Sequence, residues 1–330
     1  MLLLQGKPRE LLWTGCRRGR EAESIDLRGA DFNKKVHWRW LLQPARSIGY
    51  YHIVMQSDNR TMRDDKEIAF LFDLYIAPTW REAFDQMVDD EVELPKEGRF
   101  LDAGCGTGGY AIDTAIRGGA KTEVVGVDPS QEKLILARGK AVVKKVENVE
   151  FREGPLQSLE FNDGEFDLVI GDASMLPPSE IGPFLAELAR VANHGATVVL
   201  KLTTRGSFDE FFSIYWESLY NLGLLDYTPQ LEGLITERLA VSDAEQLALD
   251  ARLKNVRGVT IKERFDFKDG NEFFESPLIE AFFLDEWLAI LPDEETRRQV
   301  RQQLMTIIDE EHHAMDFDVS IKATLIIGQK

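Results

Sequence analysis

Cysteine is scarce in this chain. Its 330 residues hold two, Cys16 in a basic stretch and Cys105 in a glycine-rich run, so no disulfide framework is implied. Positive charge is also short: 39 Lys and Arg stand against 57 Asp and Glu, a net charge of −18. That field repels a polyanion, which argues against a nucleic-acid partner and suits a neutral or cationic small-molecule substrate better. Long apolar runs are missing as well. None approaches the roughly 20 residues of a membrane span. Met1-Leu2-Leu3-Leu4 gives out at Gln5-Gly6-Lys7, too short for a signal-peptide core. The expectation is a cytoplasmic protein with no membrane partner.

The chain is long enough to bury a real core. Its charge is uneven. Residues 1–54 carry ten Lys and Arg against five Asp and Glu, a local +5, which leaves −23 for the remainder. Within that segment, Cys16-Arg17-Arg18-Gly19-Arg20-Glu21-Ala22-Glu23-Ser24 shows neither helical nor strand periodicity. Residues 1–63 therefore read as a basic N-terminal arm. Either it is a flexible arm that contacts a partner, or the reading frame begins too early and Met55 or Met62 is the natural start. The second reading is preferred for the first thirty residues.

The most specific stretch runs from Phe100 to Tyr110, FLDAGCGTGGY: an apolar strand end, an acid, glycines at 104, 106, 108 and 109, then a helix start. Such a turn lets backbone approach a nucleotide without a Cβ in the way, and the N–H groups of the helix start face it. Two nucleotide sites fit. Gly104, Gly106 and Gly109 satisfy the dinucleotide pattern G-x-G-x-x-G, with Asp128 placed downstream to hold a ribose hydroxyl. LDAGCGTG also resembles the first motif of the class I S-adenosylmethionine-dependent methyltransferases, an acid-x-G-x-G-x-G run that often carries Cys at this position. The second strand, ending in Asp128-Pro129-Ser130, and the closing segment 320–330, SIKATLIIGQK, are similar to that family's ribose-binding strand and last antiparallel strand.

The resemblance implies S-adenosyl-L-methionine as cofactor. Asp102, Gly104, Cys105, Gly106 and Gly108 would hold its methionine end, Asp128 the ribose, and Pro129 with Leu156 the adenine. The sequence departs from the family after the third strand. There, Glu153-Gly154-Pro155-Leu156 puts Pro155 where many members keep an acid for the adenine amine, and proline offers neither carboxylate nor N–H. After the fourth strand comes Gly171-Asp172-Ala173-Ser174-Met175-Leu176-Pro177-Pro178. It lacks the Asn/Asp-Pro-Pro-aromatic arrangement of the amino-methyltransferases that act on nucleic acids or glutamine. Asp172 is the candidate general base, or else the cap of a turn. A second candidate cluster is Asp309-Glu310-Glu311-His312-His313 with Asp316, whose i,i+4 pairs could form a base or half a metal site. No second ligand group appears elsewhere to complete a metal site, and a solvated helix end is the preferred reading.

Along the chain, amphipathic helices at 64–75 and 80–88, broken at Pro78, lead into alternating apolar strands and helices from 98 to 202. That alternation predicts a doubly wound parallel sheet. Tyr75 and Trp80 on the leading helices either touch the ligand or pack. His194 reads as a turn residue. Further expectations are Ser130 and Ser207 as N-caps, a capping box at Ser242–Glu245, and a sixth strand near 259–267. The helix after the fifth strand, SFDEFFSIYWESLY, has more aromatics than one face can bury. The segment 270–317, with Phe273, Phe274, Phe282, Phe283 and Trp287, would be a helical insertion, either a cover over the site, extra core or a dimer face.

The resulting expectation is an α/β, seven-stranded Rossmann-like sheet, mostly parallel with an antiparallel last strand and a helical insertion before it. It occupies residues 64–330, with leading helices at 64–97, the cofactor core at 98–202 and substrate-side elements at 203–330. The expected function is methyl transfer from S-adenosylmethionine to a small-molecule acceptor. The alternatives are a non-catalytic S-adenosylmethionine-binding or scaffold protein and, less favoured, an NAD-dependent oxidoreductase.

Overall fold

The computed structural model describes residues 64–311 and 316–330, and of residues 1–63 only four strands. Contacts divide the chain into two units, Met1–Met62 and Arg63–Lys330. In the first, β1 (Leu12–Gly15) pairs antiparallel with β2 (Glu23–Asp26), and β3 (Arg39–Leu41) with β4 (His52–Val54). Most of the basic arm, including Cys16 and the arginines after it, lies outside the described residues.

The second unit is built on β5 (Gly98–Ala103), β6 (Thr122–Asp128), β7 (Val149–Glu153), β8 (Phe166–Asp172), β9 (Ala192–Thr204), β10 (Lys254–Phe267) and β11 (Phe317–Gln329). Their order across the sheet is β10-β11-β9-β8-β5-β6-β7. Strands β5 to β9 pair in parallel, and β11 runs antiparallel to both its neighbours. This is the Rossmann-like sheet that the alternation of strands and helices predicts. The apolar runs of β5, β6 and β8 are buried on both faces because helices cover each side. Strand order reverses at β5, between β6 and β8, and the crevice over the carboxyl ends of these three strands is where such sheets bind ligands.

Local signals hold in places and yield in others. Ser130 caps the helix Gln131–Lys144 as expected, its Oγ accepting from Lys133 N at 3.3 Å. Pro78 does not break the leading helix. Residues Asp65–Leu71 and Glu82–Glu91 are α-helical and are joined through a π-helical stretch, Phe72–Arg81. In that wider turn the i→i−4 ladder is already interrupted, so proline's missing N–H costs little. Ser207 does not cap the helix Asp209–Asn221. Its hydroxyl donates to Thr204 O at 2.7 Å and accepts from Lys322 N at 2.8 Å, and Phe208 takes the cap position at φ 63°. The helix Val241–Asp250 starts one residue before the expected box, with Asp243 rather than Glu245 reaching back, to Ala240 N at 3.2 Å. Asn193-His194-Gly195 is an exposed irregularity within β9.

Among the described residues, the insertion forms four helices, Gly270–Glu275, Pro277–Phe282, Leu284–Leu288 and Glu294–Glu311. Their aromatics turn inward. Trp287 stacks on Phe211 at 4.4 Å between centroids, and Trp80 of the π-helical stretch stacks on Phe208 and Phe265. Phe273, Phe274, Phe283 and Trp287 are all buried. The aromatic surplus of the sequence is thus spent on extending the core of one sheet face under the insertion, each fully buried ring contributing about 2–3 kcal/mol.

Candidate functional site

The glycine turn leaves β5 at Ala103 and enters the helix Gly109–Gly118. Gly104, Gly106 and Gly108 have φ of +76°, +56° and +74°, a region L side chains rarely adopt. A Cβ on Gly106 would lie 2.5 Å from Arg81 Nη1 and 2.6 Å from Phe72 Cε1. One on Gly108 would lie 2.7 Å from Ala137 and Phe151. A Cβ on Gly109 would meet nothing within 4 Å. The turn therefore requires glycine in the spacing G-x-G-x-G. It does not require the third glycine of the dinucleotide fingerprint, whose purpose is close helix–strand packing.

The acids stand at the ends of adjacent strands. Asp128, at the end of β6, accepts from Gly106 N through one oxygen and from Ser130 N through the other, both at 2.9 Å. It braces the turn and the following helix while keeping lone pairs for a ligand. Asp102, on β5, is 2 % exposed, and neither of its oxygens has a hydrogen-bond partner among the described residues. Burial raises its pKa to about 6, offset in part by Lys201 and Arg81. Cys105 is buried beneath the turn. Burial first, then Asp102 and Asp128, push its thiol well above the ordinary value, so it stays protonated and packs as a small apolar group.

Two cations that sequence reasoning passed over complete the site. Arg81 closes the π-helical stretch, and its Nε lies 3.0 Å from Asp172 Oδ2 at the end of β8. The ion pair is close but not aligned as a hydrogen bond, so Arg81 Nη2 and Asp172 Oδ2 both remain unsatisfied among the described residues. Asp172 Oδ1 accepts from Ser174 N at 2.9 Å and Ser174 Oγ at 2.6 Å. Burial works to raise the Asp172 pKa, but Arg81, Lys201 and the Ser174 donors outweigh it and hold the carboxyl below its ordinary range. Lys201, on β9 opposite Asp172 in register, has no exposed side-chain surface and pairs with Asp85 of the helix Glu82–Glu91. A lysine inside the apolar run of β9 was the signal that could have found it.

The leading helix covers this cleft by several contacts. Asp73 binds Lys140 and accepts from Thr107 Oγ1 at 2.6 Å, Phe72 lies under Lys133 Nζ at 4.0 Å, and Trp80 donates to Ser174 Oγ at 3.0 Å. Burial lowers the Lys133 ammonium below its ordinary value. Trp80 is fully buried in the aromatic core and Tyr75 is half-buried. On the opposite flank, Leu156 is buried, while Pro129, Glu153 and Pro155 are exposed. Asp309 accepts from Gly270 N at 2.8 Å, at the start of the helix Gly270–Glu275 that Asp269 caps. His312 and His313 lie outside the described residues.

The unsatisfied groups define what fits. A buried carboxylate lacking donors and a guanidinium N–H lacking an acceptor, both unsatisfied among the described residues, match the ammonium and carboxylate of an α-amino acid. The next strand supplies an acid suited to ribose hydroxyls. The residues present thus fit a nucleoside joined to an amino acid.

Residues 100–195 match the family model described as Methyltransferase domain. Among curated relatives, the ajmaline N-methyltransferase of Rauvolfia serpentina is 30 % identical over 118 residues, 36 % of this chain and 39 % of that protein. The demethylmenaquinone methyltransferase of Lactococcus lactis is 29 % identical over 122 residues, 36 % of this chain and 48 % of that protein. The chain therefore spans less than half the length of these two relatives. Among solved structures, the YcgJ protein of Bacillus is 20 % identical with a TM-score of 0.49, covering 74 % of this chain and 97 % of that one.

Proposed function

We propose that this chain is a class I S-adenosylmethionine-dependent methyltransferase that transfers a methyl group to a small-molecule acceptor. The observation that carries the reading is the set of unsatisfied groups at the cradle, Asp102 with two free oxygens and Arg81 with a free Nη2. When bound, the cofactor supplies a methyl carbon already activated by the sulfonium. Everything else falls to the protein.

In this reading Asp102 accepts from the cofactor's ammonium and Arg81 donates to its carboxylate. Gly104, Cys105, Gly106 and Gly108 supply backbone close to the methionine end. Asp128 accepts from the ribose hydroxyls, and Pro129 with Leu156 borders the adenine. Pro155 leaves the adenine amine without a side-chain acceptor, so the ring is held by packing and backbone alone. Asp172 does not serve well as a base, because its low pKa makes it a weak proton acceptor at neutral pH. Its role is to anchor Arg81 and the loop through Ser174 at the acceptor side. The rate then rests on positioning and water exclusion, which in-line displacement at a sulfonium allows.

The depressed Asp172 also favours a second reading, a protein that binds the cofactor without turning it over. Incubation with methyl-labelled S-adenosylmethionine and fractionated small-molecule pools separates the two. Label transferred to one fraction, with matching S-adenosylhomocysteine, supports the enzyme. Cofactor binding with no transfer to any fraction supports the second reading and contradicts the first.

A further inference from the structure

Lys201 is the least expected residue of the central sheet. It sits in β9 between apolar neighbours, and its side chain has no exposed surface. Such a lysine persists only if its charge is compensated. Its ammonium pairs with Asp85 on the covering helix and lies 4.4 Å from the centroid of the Tyr110 ring. The Tyr110 hydroxyl in turn donates to Asp89 of the same covering helix at 2.8 Å. Lys201 thus binds the cover to the sheet at the second of two buried ion pairs, the first being Arg81–Asp172. It lies on the same face of the sheet as Asp102, whose partner on β8, Ile170, is two residues from Asp172, the partner of Lys201, and its charge favours the ionised form of that carboxylate.

We propose that Lys201 is a positioning residue for cofactor binding: one ammonium fastens the covering helix through Asp85 and holds Asp102 ready as an acceptor for the ligand's ammonium. The inference rests on the cofactor reading above. Lys201 touches no part of the ligand in this scheme and acts through the two carboxylates. The charged groups facing Asp102 are Lys201 from β9, Arg81 from the π-helical stretch, Asp85 from the covering helix and Asp172 from β8. Removing Lys201 leaves three carboxylates against one guanidinium. Asp102 then holds its proton to higher pH, and a protonated Asp102 cannot accept from an ammonium. Removing Lys201 and Asp85 together takes away one charge of each sign, so Asp102 returns toward its former behaviour although the fastening is gone.

The test is S-adenosylhomocysteine affinity of the full chain by isothermal titration between pH 5 and 8, for wild type, Lys201→Met and Lys201→Met/Asp85→Asn, with thermal melts as fold controls. Wild-type affinity should fall as pH drops through about 6. In Lys201→Met that midpoint should rise by about one pH unit or more, and in the double variant it should move back toward wild type. A purely structural lysine would weaken binding equally at every pH. The double variant buries no lone charge and so folds where the single variant fails. If the single variant does not fold, Asp85→Asn carries the test: it removes a carboxylate facing Asp102 and leaves Lys201 to it, so a midpoint below that of wild type supports the proposal and an unmoved midpoint overturns it. A midpoint unmoved in Lys201→Met, or a wild-type affinity that does not change across the range, overturns it. Wild type that binds at no pH overturns the cofactor reading itself, and this inference with it.

Discussion

Arg81 Nε lies 3.0 Å from Asp172 Oδ2, and each side chain is only 7 % exposed. The pair joins the end of the π-helical stretch to the end of β8. Burying two charges is worthwhile only when both remain paired, so the loss of one partner is far worse than the loss of both. Arg81→Met or Asp172→Leu should each cost about 3–5 kcal/mol. The double variant should cost less than the sum of the singles by at least about 1 kcal/mol. Urea unfolding of the four proteins measures this, and additive losses would show that the two groups do not interact.

Asp102 gives a pH dependence with a definite sign. Its carboxyl ionises near 3.8 in a solvated chain and near 6 in the fold. The folded state binds the proton more tightly, so burial costs nothing below pH 4, costs progressively more from there, and costs its full amount above pH 6. Asp102→Asn does not titrate. Relative to wild type, its stability should therefore improve by on the order of 2–3 kcal/mol between pH 4 and pH 7.5. The same variant should bind S-adenosylhomocysteine at least about tenfold more weakly at pH 7.5. A stability difference constant in pH would place Asp102 in a solvated setting.

The glycines separate the two nucleotide readings by mutation. Gly106→Ala forces a side chain into a left-handed backbone and onto Arg81 and Phe72. It should cost about 1–2 kcal/mol from the backbone alone, and cofactor binding besides. Gly109→Ala meets open space and should leave both stability and binding within about 0.5 kcal/mol of wild type. Melting curves and titrations of both variants decide the matter. Equal damage would restore the dinucleotide spacing.

Asp128→Ala removes the acceptor for the Gly106 and Ser130 amides as well as the proposed ribose contact. Cofactor affinity should drop by roughly 1.5–3 kcal/mol, with a fall in melting temperature from the loosened turn. Unchanged affinity would show the ribose assignment to be wrong.

Much of the sheet was legible because its signals are local. Apolar strands at regular spacing, the glycine turn and the Ser130 cap all act within a few residues of themselves. Ser207 and Ser242 misled because their hydroxyls had competitors: Ser207 is taken by the β11 backbone at Lys322, and Asp243 reaches Ala240 first. Pro78 misled because tertiary contacts on both sides of it, Asp73 to Lys140 and Trp80 to Ser174, hold the helix through a wider turn. At the site, the glycines and acids lie within two short segments and were readable there. Arg81 and Lys201 were not read, because their meaning depends on partners 91 and 116 residues away, Asp172 and Asp85.

The most direct measurement is isothermal titration of the purified chain with S-adenosylmethionine, S-adenosylhomocysteine and NADH at pH 7.5. Saturable one-to-one binding of the first two and none of NADH is expected, since Asp102 and Arg81 need an ammonium and a carboxylate that NADH does not offer. Binding of NADH alone, or of none of the three, would contradict the assignment of the cradle.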